Sequence, residues 1–205
     1  MKPKRGDDYG EAIEPRIEAL DRALGLHSEY LVSPIGFGLG GPPTIAAFPS
    51  AIPGALLYCT SEMTGWRSGQ KVGKGTQFEF AIAIPAPRRS SAKSRKNSLV
   101  NNAWIGNALS VMASFSCDEL LRPAETMGPM PQELAPMTRL LSTDFTRYKS
   151  PFAFGGKSYG IRLLTLITES EYEHSVAKKS VKALVTKLAE ANPFMISDTK
   201  RKSVA

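Results

Sequence analysis

The segment Tyr159-Gly-Ile-Arg-Leu-Leu-Thr-Leu-Ile-Thr168 carries apolar residues at successive as well as alternate positions. A strand of that composition needs cover on both faces, so the run predicts a central strand in a sheet with other elements packed on both sides. Thr168-Glu-Ser-Glu171 follows with the spacing of a capping box, in which a hydroxyl and a carboxylate three residues apart satisfy each other's backbone amides. Tyr172, Val176, Leu184, Val185 and Leu188 then supply the apolar stripe of one predicted helix, and Asn192-Pro193 ends it.

Other elements are read from the same periodicities. Ile13, Ile17, Leu20 and Leu24 recur at spacings of three and four, which predicts an N-terminal helix with Gly25 as its stop. Ala55-Leu-Leu-Tyr-Cys-Thr60 and Gln77-Phe-Glu-Phe-Ala-Ile-Ala-Ile-Pro85 read as strands. The second places Phe78, Phe80, Ile82 and Ile84 on one face, and Pro85 bars its extension. Trp104, Ala108, Leu109, Met112 and Phe115 lie at helical spacing, with Asn102 as N-cap candidate, and predict a helix packed on the sheet through that stripe. Residues 122–137 hold four prolines among polar and Met residues, which predicts an irregular crossing, and Leu140-Leu141 opens another strand. Residues 1–50 are taken as an N-terminal helix and a Gly/Pro-rich lead-in belonging to the same fold as a domain over 51–205.

With 205 residues there is room for one compact domain with a sizeable core. Two cysteines, Cys59 and Cys117, build neither a disulfide framework nor a four-cysteine zinc site. The opening Met-Lys-Pro-Lys-Arg-Gly-Asp-Asp lacks the apolar stretch of a signal peptide, and no apolar run approaches the ~20 residues that span a bilayer, so a cytoplasmic setting without a membrane is expected. The net charge of +7 is unevenly placed: eleven of the 26 basic side chains lie in residues 2–5, 88–96 and 200–202, and the other 15 face 19 acidic ones. The presumed folded body is therefore not basic. The run Arg88-Arg-Ser-Ser-Ala-Lys-Ser-Arg-Lys-Asn-Ser98 has no aromatic and no apolar period, so it reads as a solvated loop rather than a nucleic-acid surface.

The candidates for chemistry are thin. Gly36-Phe-Gly-Leu-Gly-Gly41 satisfies Gly-x-Gly-x-x-Gly, but Pro42-Pro43 and no helix follow, so the phosphate-binding context is missing. His27 and His174 have no neighbouring ligand at metal spacing. Glu169, Glu171 and Glu173 sit in a first helical turn, where the helix dipole favours acids. No catalytic residue, metal or cofactor is expected.

Several segments, taken in order, resemble the suppressor-of-fused (SUFU) family in its bacterial single-domain form. They are Leu56-Leu-Tyr-Cys-Thr-Ser-Glu-Met-Thr-Gly65, Phe78-Glu-Phe-Ala-Ile-Ala-Ile-Pro85, the Trp104 helix with Leu109 and Met112, Leu164-Thr-Leu-Ile-Thr-Glu-Ser-Glu171, and the closing Asp198-Thr-Lys-Arg-Lys-Ser-Val204. Glu62 stands before Met63 where the family usually turns with Gly. The resemblance implies an α+β fold with a mixed, largely antiparallel sheet and helices packed on it, and action by binding protein. It implies no catalytic residues, and it points to immunity-type neutralisation of a toxin as the role of bacterial relatives. The expected partner is thus a protein, with a cognate toxin as the narrower form. Two other readings stand beside it: a hydrolase using Cys59 or a histidine, and a nucleic-acid-associated protein using the 88–96 loop. Partner contact is expected from Glu62, Met63, Trp66 and Arg67, because a Trp beside an Arg in a Gly-rich connection between strands has hot-spot composition and is placed to project at a sheet end.

Overall fold

The structure is a computed structural model, and it describes residues 7–33, 41–64, 78–86, 102–118, 122–145, 152–154 and 157–205. The elements are α1 (Asp7–Leu24), β1 (Glu29–Leu31), β2 (Ile45–Phe48), β3 (Ala55–Thr60), β4 (Phe78–Pro85), α2 (Ala103–Asp118), β5 (Thr126–Met127), a single 3-10 turn (Gln132–Leu134), β6 (Met137–Asp144), β7 (Phe152–Phe154), β8 (Lys157–Thr168), α3 (Glu169–Ala177) and α4 (Val181–Ala191). The strands lie in the order β1-β2-β3-β4-β8-β6-β5, with β7 pairing the first residues of β8. Every pairing is antiparallel except β4 with β8, where Phe80 stands opposite Arg162. The architecture is α+β with a mixed, largely antiparallel sheet, as expected.

The period-2 rule divides each inner strand between two cores. On one face Leu57, Cys59, Ala81, Ala83, Leu163 and Ile167 pack with α1 and α4. On the other, Leu56, Tyr58, Phe80, Ile82, Leu164 and Leu166 pack with α2. This double cover explains why β8 is apolar on both sides and why it lies between β4 and β6 rather than at an edge. Within α1, Ile13, Ile17, Leu20 and Leu24 are all buried, and Gly25 closes the helix at φ +92°, its amide donating to the Asp21 carbonyl. Since β1 and β2 extend the same sheet and α1 joins the same core, residues from the N-terminal stretch complete this fold.

Three expectations need correction. The stripe of α2 is turned: Ile105, Ala108, Leu109, Met112 and Ala113 are buried, whereas Trp104 is half-buried and Phe115 exposed. The predicted last helix is two helices, because Lys179 at φ +49° breaks it and the Ser180 hydroxyl accepts from Ala183 N to start α4. Val176 consequently stands exposed beside that break. Finally, residues 122–137 contain β5 and the 3-10 turn, and β6 already begins at Met137.

Candidate functional site

Three arrangements stand out around this sheet, and the first lies where partner contact was expected. Beyond β3 the chain turns through Ser61-Glu62-Met63-Thr64, and all four side chains are buried. Glu79 on β4, fully buried, holds this turn. Its Oε2 accepts from the Thr60 hydroxyl and Met63 N, and its Oε1 from Thr64 N at 2.9 Å and the Thr64 hydroxyl at 2.7 Å. Arg16 of α1 donates to the Thr64 carbonyl. Burial pushes the Glu79 carboxyl up, and the Thr60 hydroxyl, the Thr64 hydroxyl and amide, and the Arg16 charge only partly offset it. Glu62 accepts from Thr44 N at 2.6 Å, and Met63 belongs to the core under α2. Glu62 and Met63, only 2% and 1% exposed, therefore do not project at a sheet end as expected. Trp66 and Arg67, the Gly36–Gly41 pattern and the 88–96 run lie outside the described residues, apart from Gly41 itself.

At the other end of β8 the chain closes on itself. The capping box is present: Thr168 accepts from Glu171 N, and Glu171 Oε2 accepts from Thr168 N at 2.8 Å. The fully buried Glu171 carboxylate also receives Arg201 Nη1 and Nη2 at 2.6 and 2.7 Å and Val204 N at 2.9 Å. Burial alone would raise its pKa, but the Arg201 bonds, the two amides and the Arg201 charge bring it below the usual carboxylate range. Arg201 Nη2 also donates to the Leu166 carbonyl, and Ser203 meets Ser170 at 3.0 Å. The capping box and the closing Asp-x-x-Arg-x-Ser-Val stretch, two separate motifs in the sequence, are thus two halves of one clasp.

The third arrangement is an apolar groove that periodicity did not place. With its stripe turned, α2 presents Val111, 62% exposed, and Phe115, 41% exposed, to one side. Facing them is the Met127-Gly-Pro-Met-Pro131 segment. Gly128 is required there, since a Cβ would stand 2.9 Å from the Thr138 carbonyl oxygen. The space between measures about 490 Å³, and Arg139 and Tyr172 also line it. The Arg139 guanidinium stacks 3.8 Å from the Tyr172 ring centroid, and Nη2 donates to Glu169 Oε1 at 3.2 Å. Glu169 also accepts from the Thr138 hydroxyl at 2.6 Å. Aromatic, Met and Arg side chains at a groove are the composition of protein interfaces, and thioether chains repack to fit what binds.

Chemistry has little to work with by comparison. Cys59 is fully buried, and desolvation, helped by the Glu79 charge, raises its thiol pKa well above the ordinary value. His27 Nδ1 lies 2.9 Å from Asp21 Oδ1 at the end of α1. Among the described residues no three His, Cys, Asp or Glu side chains gather to hold a metal ion, and no helix is long and apolar enough to cross a membrane.

One α+β fold thus carries a two-sided sheet, a self-closing C-terminal clasp and an open apolar groove. The family model for suppressor of fused protein (SUFU) matches residues 42–202, so this chain belongs to the suppressor of fused family. Solved structures agree in fold. A chain in a crystal structure of the Sufu–Fu complex superposes with a TM-score of 0.67 at 12% identity, covering 99% of this chain and 93% of that one. Drosophila Suppressor of Fused gives a TM-score of 0.67 at 11% identity, covering 94% of this chain and 50% of that one. This chain therefore spans about half the length of the Drosophila chain. No curated protein matches the sequence.

Proposed function

We propose that this chain is a protein-binding module whose partner seats apolar side chains in the groove between α2 and residues 126–131. The observation that carries this is the exposure of Val111 and Phe115 beside Met127 and Met130: other large apolar side chains, such as Leu26 and Leu31, are exposed as well, but these two line a groove. Membership of a family with a member solved in complex with a protein, Fu, supports it. In its narrower form the partner is a toxin that the chain neutralises, the role that the resemblance to single-domain bacterial members implies. Trp66 and Arg67 are a second contact in this proposal, from the loop that leaves the turn held by Glu79.

The hydrolase reading loses its nucleophile, because a buried thiol with a raised pKa offers neither access nor thiolate. Affinity purification from the source cells, identification of the bound protein and titration of the purified pair test the proposal. Loss of affinity in Phe115→Asp with an unchanged melting curve is expected. Full affinity in that variant would remove the groove from the interface. Growth arrest by the partner alone, relieved on co-expression with this chain, is the result expected of a toxin; a harmless partner would end the narrower form.

A further inference from the structure

Arg139 gives the groove a chemical preference. This inference rests on the groove being the partner site. Of the three guanidinium nitrogens, only Nη2 has an acceptor among the described residues, the Glu169 carboxylate. Nε is buried, yet it meets no acceptor. That buried Nε is closed to an incoming group, as it is in Arg162 and Arg201, but a guanidinium offers five N–H donors, and Nη1, which has no acceptor among the described residues, keeps two of them for an incoming acceptor. The group is also held in place: the stack on Tyr172 and the bond to Glu169 restrict the plane, so little further ordering is needed when a ligand arrives. The rest of the lining is mostly apolar, with Val111, Phe115, Met127 and Met130 beside the polar Asn107 and Thr126. One cation lining such a groove is complementary to a segment that joins apolar side chains to one negative charge.

We infer that the groove takes a linear peptide segment of its protein partner that combines apolar side chains with one Asp or Glu, whose carboxylate meets Arg139. Glu169 does not already fill this role. It holds Nη2 through one oxygen while its other oxygen is engaged by Thr138, which leaves the Nη1 donors to the incoming group.

The test uses the full chain and a defined probe. Random twelve-residue peptides displayed on phage are selected against the protein, and the enriched sequences are made with both ends blocked, so that any carboxylate is a side chain. The expected result is enrichment of apolar peptides with an acid, affinity lost in Phe115→Asp, and a fall of about tenfold when the peptide acid becomes its amide. In Arg139→Gln that amide substitution should cost nothing further, and Arg139→Glu should prefer a peptide with Lys at the acid position. The peptide-side change needs no protein variant, so it stands even if Arg139 variants fold poorly. Apolar peptides that need Phe115 but bind equally with acid or amide would overturn the inference and leave the groove as partner site. Peptides indifferent to Phe115→Asp, or no enrichment at all, would overturn both.

Discussion

The clasp at the end of β8 and the groove beside α2 meet at α3, which gives Glu171 to one and Tyr172 to the other; the arginine of each has a buried Nε without an acceptor, and they differ in what they pair and what they leave exposed. In the clasp a fully buried carboxylate is matched by a bidentate arginine and two backbone amides, so the surface is closed on itself. In the groove an arginine uses one nitrogen of three while Phe115 and Val111 face solvent. The difference separates a region closed on itself, which serves stability, from one that leaves apolar surface open. Buried charge is tolerated where it is paired.

That contrast breaks first at Arg201. Arg201→Ala leaves the Glu171 carboxylate buried without its cation, so unfolding should become easier by about 3–5 kcal/mol in a denaturant titration. The same titration across pH gives the sign. The folded pKa of Glu171 is depressed, so its contribution is present above the unfolded carboxylate value of about 4.3 and is lost as pH falls through the folded value. Glu79 runs the other way: its raised pKa makes its contribution full at low pH and lost as pH rises through that value. Glu171→Gln should therefore flatten the acid side of the stability curve, and Glu79→Gln its rising-pH side. A wild-type curve without an acid-side drop would show that the clasp carries no linkage.

The groove should respond in the opposite currency. Phe115→Asp is expected to weaken partner binding by about 2–4 kcal/mol in calorimetry while stability moves by less than about 0.5 kcal/mol. A loss of binding only in proportion to unfolding would place Phe115 with the core instead. Trp66→Ala should weaken binding by about 1–3 kcal/mol by the same assay, and unchanged affinity would confine the interface to the groove. The smallest effect is expected at Thr168→Ala, which removes the side-chain half of the capping box and should cost about 1 kcal/mol in thermal melts without touching binding. Impaired binding there would mean that clasp and groove are coupled through α3.

Much of the sheet could be read from local pattern. Phe78–Pro85 carries its large apolar residues at alternate positions, Ala55–Thr60 is a short apolar run of strand length, and Thr168 with Glu171 is a local motif whose partners lie three residues apart. The groove escaped because α2 is apolar nearly all round. Trp104, Ala108, Leu109, Met112 and Phe115 fit helical spacing as well as Ile105, Leu109, Met112 and Ala113 do, so periodicity left the phase of the helix open. The excess of apolar residues over one face was the available signal, together with Met127 and Met130 between prolines. The burial of Glu62 and Met63 gave no sequence signal, because the carboxylate that holds their turn is Glu79, on the next strand.

The amino-acid sequence by itself determined the strands over 55–60, 78–85 and 159–168, the N-terminal helix and the Trp104 helix, where the capping box starts α3, that Gly25 ends α1, and, through the order of its motifs, the suppressor of fused family. These features depend on residues a few positions apart, whose spacing matches the period of one element. The tertiary structure alone decided the pairing of Glu171 with Arg201, the clamp of Glu79 and Arg16 on residues 60–64, the phase of α2, and the meeting of Phe115 with Met130 and Arg139 at one groove. Those contacts join residues 15 to 48 positions apart, and which of many compatible side chains meet is set by strand order and helix packing rather than by any local period.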